Sequence, residues 1–229
     1  MNPFPSSDRC RARRRRVSSW ALVQAVLALA VVTSQEAHAQ KAQAAVICEE
    51  FKYGRERLNY NDPADRPRIR QIEGNHFEQD WEMLGRGVTS STAGADIDFV
   101  VRASPNHHRA LTALVRLSLR DKTPRPAGVK IPVECYLLRA LEFAPNDVEV
   151  QKIYGTYLAR LGRDDEALTW FERAEKLSPD DPVLAYNIGL ILTDKRDFER
   201  ARKYAQKAYT GGVQLPGLRE KLSRQGQWQ

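Results

Sequence analysis

Residues 148–181 read VEVQKIYGTYLARLGRDDEALTWFERAEKLSPDD, and residues 182–215 read PVLAYNIGLILTDKRDFERARKYAQKAYTGGVQL. Laid over each other, Gly155 meets Gly189, Ala167 meets Ala201 and Ala174 meets Ala208, which sets a period of 34 residues. Ala140 and Pro145 stand 34 residues before Ala174 and Pro179, so the register reaches back into the preceding segment. A small residue at a fixed place in each unit lets neighbouring helix backbones approach closely, and Phe171 is large enough to fill the gap between repeats. Asp181 before Pro182 is an N-cap and first-turn pair, and Gly162 and Gly211-Gly212 are helix stops. The expected fold class is all-α, built from stacked helical hairpins.

Working outward, Leu111, Leu114, Val115 and Leu119 place an apolar stripe on a helix over 107–119, and residues 135–143 supply its returning partner. Three prolines and Gly128 between Lys122 and Pro132 oppose a continuous helix, so that stretch reads as the connection. Asp96 to Arg102 predicts a short helix, and Phe77, Trp81 and Leu84 can share one side of another. The organisation expected is a cleavable leader over 1–39, a mainly irregular arm over 40–75, a helical repeat domain over 76–215, and a cap and tail over 216–229 centred on Leu218 to Leu222.

The leader is read from Arg9, Arg11 and the run Arg13 to Arg16, followed by the apolar stretch Trp20 to Val32 and the small-residue boundary Ala37-His38-Ala39. That stretch is shorter than the ~20 residues a membrane-spanning helix needs, which predicts release without a stable transmembrane anchor. The full chain carries 36 Lys and Arg against 29 Asp and Glu, a formal charge of +7. Without the six leader arginines, Asp8 and Glu36, the balance is 30 to 27, and the charge no longer argues for a nucleic-acid partner. Cleavage would leave Cys48 and Cys135, which in an oxidising compartment can close a long loop corresponding to ~4–5 kcal/mol in the chain-entropy model; two separate buried thiols are the other reading.

Residues 148–181 closely resemble a tetratricopeptide repeat through Gly155, Leu158, Ala167, Phe171, Ala174 and Pro179. Residues 182–215 resemble one less fully, with Ala205 at the aromatic position and Val213 at the proline position. LNYNDP at 58–63, GADIDFVVRASPNHHRAL at 94–111, VECYLLRALEFAPND at 133–147 and QLPGLREKL at 214–222 look like a family of exported proteobacterial tetratricopeptide proteins of unestablished function. The resemblance implies a short right-handed solenoid of helical hairpins. It implies export, periplasmic more than secreted, and a scaffold for protein-protein interactions in the cell envelope. It supplies no catalytic residue.

In such a solenoid the first helices line a groove, and the residues expected to face a protein or peptide partner are Glu149, Lys152, Thr156, Ala159 and Arg160, then Val183, Tyr186, Leu190, Thr193 and Asp194. The alternative is an envelope sensor holding a metal or small ligand at Asp96, Asp98, His107 and His108, with His76 near in sequence. Adjacent histidines on a helix diverge, and helix capping or hydrogen bonding explains the same residues. No cofactor is expected. No serine elbow, phosphate loop, dinucleotide fingerprint or histidine metallohydrolase motif is present, so the chain is not read as an enzyme.

Overall fold

The computed structural model describes Cys48, residues 57–77 and residues 92–228. The chain divides into two units, Met1–Ala45 and Val46–Gln229, and every described residue belongs to the second. The leader, Trp81 and Leu84 lie outside the described residues.

The described regular structure is entirely helical: α1 Arg66–His76, α2 Ala93–Ala103, α3 His108–Asp121, α4 Val133–Phe143, α5 Val148–Arg160, α6 Asp164–Leu177, α7 Pro182–Asp194, α8 Phe198–Thr210 and α9 Gly217–Arg224. Helices α3 with α4, α5 with α6 and α7 with α8 pack as pairs, and α3, α5 and α7 contact one another in succession. This is an all-α array of tetratricopeptide-like hairpins. Helix α1 occupies the end of the segment expected to be irregular, starting with Pro67 in its first turn and burying Ile69. Its low apolar content hid it from a periodicity reading.

Two local devices recur because the chain repeats them. The turns Ser104-Pro105-Asn106-His107, Ala144-Pro145-Asn146-Asp147 and Ser178-Pro179-Asp180-Asp181 each close with the fourth residue's N–H donating to the first residue's carbonyl, at 3.1, 3.1 and 3.3 Å. The fourth residue then caps the next helix: His107 accepts from Ala110 N, Asp147 from Val150 N, and Asp181 from Val183 N and Leu184 N. Pro105 lies 40 residues before Pro145 where the later turns are 34 apart, so the 124–132 connection adds six residues to an otherwise regular unit.

The second device ends α5 and α7. Arg163 N donates to Leu158 O and Asp197 N to Leu192 O, both at 2.9 Å, which closes a Schellman turn around a left-handed residue. Gly162 takes that conformation with φ 76°, but one period later Arg196 must adopt φ 61°. A non-glycine residue there costs about 1–2 kcal/mol, and without a glycine the end of α7 carries no signal in the sequence.

Packing follows the small residues. Ala167, Ala174, Ala201, Ala205 and Ala208 are fully buried. A Cβ on Gly155 would stand 2.6 Å from Phe171 Cε1, so the ring sits on the glycine of its own hairpin. In the next hairpin Ala205 replaces the aromatic, and a Cβ on Gly189 would instead meet Leu218 Cδ2 at 2.7 Å. Leu218 comes from α9, so the cap supplies the bulk that the second repeat lacks.

Cys48 and Cys135 form a disulfide with a Cα–Cα distance of 5.5 Å, joining the N-terminal arm to α4. Among the described residues no helix is long and apolar enough to cross a membrane.

Candidate functional site

Helices α3, α5 and α7 line a groove of about 240 Å³. Helix α5 contributes Glu149, Lys152, Thr156 and Arg160, four of the five residues expected there, while Ala159 packs against the core. Helix α3 adds Thr112, Val115, Arg116 and Leu119, and α7 adds Val183 and Asn187. The α3 residues were legible once the 40-residue spacing is applied, since Thr112 and Arg116 precede Lys152 and Thr156 by that interval. The six-residue insertion concealed it.

Lys152 is the fixed point of the groove. Its Nζ donates to Glu149 Oε2 and to Asp181 Oδ2, both at 2.8 Å, so one ammonium ties the first turn of α5 to the N-cap of α7. Partial burial pulls its pKa down, but these carboxylates outweigh it and hold the amine above its ordinary range. Arg160 is exposed at the far end of the same helix. The surface between them offers the apolar atoms of Val115, Leu119, Ile153 and Val183, flanked by cationic and hydroxyl groups. That is a place for mixed apolar and polar contacts.

The four remaining groove candidates are placed elsewhere, Thr193 being buried with its hydroxyl donating to Gly189 O at 2.7 Å. Tyr186 is buried, its ring 6.5 Å from that of Tyr209. Asp194 pairs with Lys221 of α9, and Leu190 is partly buried against the core. Helix α9 packs on α7 and covers the surface where those residues were expected to lie open. An array must close its last apolar face, and here the closure consumes the end of the groove.

The histidine and carboxylate cluster is divided among separate partners. His76 Nδ1 lies 3.0 Å from Asp96 Oδ1. Asp98 accepts from Tyr136 Oη, from Lys130 N at 3.1 Å and from Arg102 Nε at 2.8 Å. His107, fully buried, accepts the Ala110 N–H at Nδ1, which puts its own proton on Nε2, 3.0 Å from Glu73 Oε1. Burial pushes the His107 pKa down, while the imidazole hydrogen bond holds Glu73 below the usual carboxylate range. Among the described residues no three His, Cys, Asp or Glu side chains converge as a metal site would require.

His108 turns to Asp147, with Nε2 2.9 Å from both carboxylate oxygens. Asp147 Oδ2 also accepts from Asn61 Nδ2 at 2.8 Å and Asn106 Nδ2 at 3.0 Å. Asn106 Oδ1 takes the Tyr60 N–H at 2.9 Å, and Tyr60 stacks its ring 4.3 Å from His107. The Leu58-Asn59-Tyr60-Asn61 stretch is thereby latched onto the caps of α3 and α5. Burial raises the Asp147 pKa, yet the His108 and Asn106 hydrogen bonds together bring it below its ordinary value. The residues that looked like ligands each hydrogen-bond to a separate partner.

The paired helices and the groove along their first members define a tetratricopeptide-like repeat array. Residues 148–191 and 184–210 each match a family model described as Tetratricopeptide repeat. Among solved structures the chain is similar to YrrB, titled a TPR protein with an unusual peptide-binding site, at 24% identity and TM-score 0.42, covering 58% of this chain and 64% of that one. It is similar also to MamA of AMB-1, at 20% identity and TM-score 0.38, covering 54% of this chain and 65% of the other. The match thus spans less than two thirds of either structure. No curated protein sequence matches the chain.

Proposed function

We propose that the chain is an exported scaffold of the cell envelope, most plainly of the periplasm, whose α3–α5–α7 groove holds a segment of a partner protein without converting it chemically. The observation that carries this reading is the groove itself. Three consecutive first helices present Val115, Leu119, Ile153 and Val183 beside Lys152 and Arg160, and no group of metal-ligating side chains is gathered anywhere among the described residues. An extended segment laid there finds apolar contacts for its side chains and polar partners for its backbone. Export rests on the basic and apolar leader, and the Cys48–Cys135 pair is the kind of crosslink an oxidising compartment maintains.

The test is affinity capture from a cell-envelope fraction with the mature chain and with Arg160→Glu/Val183→Glu, two exposed groove positions. The expected result is one reproducibly enriched protein, lost with the variant while its circular dichroism and unfolding midpoint stay unchanged. Equal capture by the folded variant would remove the groove from the reading.

A further inference from the structure

The second helices carry a different surface. Helices α4 and α6 both pack on α5 but leave a trough of about 570 Å³ between them, on the side of α5 away from Lys152. Its apolar walls are Leu138, Leu141, Trp170 and Leu177, with Leu138 and Leu177 left 37% and 47% exposed. Arg173 and Lys176 stand on the α6 side, Arg173 stacked on Trp170 with its guanidinium carbon 4.5 Å from the ring centroid. Neither cation has an ion pair among the described residues, and Glu142 is the only acidic side chain lining the trough.

The corresponding trough between α6 and α8 is the internal control. It is lined by Glu175, Arg200, Lys203, Tyr204 and Lys207, and there the cations are already satisfied. Lys207 reaches Glu175 at 3.1 Å, Lys203 reaches Glu199 at 2.8 Å and Arg200 reaches Glu172 at 3.7 Å. Among the described residues, apolar walls beside cations without an ion pair thus distinguish the α4–α6 trough from the α6–α8 trough. At the inner wall of the α4–α6 trough, Gln151 donates from Nε2 to Pro145 O at 2.7 Å, while its buried Oε1 accepts nothing among the described residues.

We infer that the α4–α6 trough is a second docking site, separate from the groove, for an acidic peptide segment anchored by leucine-type side chains. Charge complementarity selects the acid: Arg173 and Lys176 line the trough without an ion pair among the described residues, against the single carboxylate of Glu142. Concavity selects a peptide over a membrane surface, because a trough between two helices admits individual side chains and a flat bilayer cannot fill it. Trp170 lies in the wall, so occupancy changes the environment of its indole.

The experiment is a titration of the mature, disulfide-bonded chain, reading the Trp170 indole N–H resonance, assigned with Trp170→Phe. The probe is an N-acetylated, C-amidated peptide with two leucines between glutamates; controls replace the glutamates by lysine or the leucines by serine. The expected result is a saturable Trp170 shift whose Kd rises roughly tenfold or more with either control peptide and with Arg173→Glu/Lys176→Glu. Arg160→Glu/Val183→Glu, which tests the groove, leaves this Kd unchanged. No saturable shift, equal affinity for the lysine peptide, or undiminished affinity of the folded charge-reversed variant would each overturn the site. So would a Trp170 response confined to anionic phosphatidylglycerol vesicles, or one arising from self-association without peptide.

Discussion

The half of the molecule over 148–210 and the half over 57–147 solve the same packing problem by different means. In the later half, alanines at a fixed interval bring helices together, and one bulky side chain per hairpin sits on one glycine. In the earlier half, the interval is broken by an insertion, and the elements are joined by individual polar pairs: His107 with Glu73, His108 with Asp147, Asp98 with Tyr136. A disulfide adds a covalent tie where periodic packing is weakest. Repetition makes each apolar contact interchangeable with its counterpart; a degenerate unit depends on particular partners that cannot be exchanged. The comparison can be broken at three points.

The largest effect is expected in the periodic half. Phe171→Ala opens a cavity over Gly155 and should cost about 3–5 kcal/mol in urea unfolding. Because Leu218 does the same work over Gly189, Leu218→Ala should be costly too, and Ala205→Phe in that background should recover part of the loss by restoring the aromatic of the first repeat. An Ala205→Phe change that rescues nothing would show that the two hairpins do not share one packing scheme.

Next comes Asp147, which caps α5 and receives Asn61, Asn106 and His108. Asp147→Ala should cost about 2–3 kcal/mol, since it removes a cap and strands buried donors, whereas Asp147→Asn keeps the cap acceptor and should cost less. Equal losses for the two variants would mean that the polar latch contributes nothing beyond the cap.

The smallest effect is a pH dependence between pH 7.5 and 5.5 that arises in the earlier half. Burial depresses the His107 pKa below its ordinary 6.5, so as pH falls past that value the unfolded chain takes up a proton that the native chain does not. Stability is then lost progressively from about pH 6.5 down toward the lowered native value. Glu73 and Asp147, whose native pKa values are also depressed, lose their contribution only further down, through the carboxylate range. Urea midpoints compared at pH 7.5 and 5.5 should therefore fall less for His107→Asn, which keeps a capping acceptor, than for the unaltered chain. Parallel losses would place the titration elsewhere.

Much of the fold was legible because the residues that specify hairpin packing are small, apolar and periodic, and Gly155, Ala167 and Ala174 announce their register without reference to anything distant. The α5 half of the groove followed from the same register. The α7 half followed only at Val183: Tyr186 and Asp194 have inward-facing repeat positions, but nothing local reveals that α9 will occupy that surface. Likewise Arg196, holding the left-handed position of Gly162, ended a helix with no sequence punctuation. Helix α1 carries too few apolar residues for its period to show.

By itself, then, the order of residues determined the helical class, the 34-residue period, the capping turns and the small positions where helices meet, all of which depend on neighbours within one hairpin. Only the tertiary structure decided which candidate side chains stay available: it dispersed His76, Asp96, Asp98, His107 and His108 among separate partners, and it left Arg173 and Lys176 beside an open trough with no ion pair among the described residues. Hydrogen bonds and ion pairs act over a few ångströms between residues tens of positions apart, so their pairing becomes readable only once the helices have been brought together.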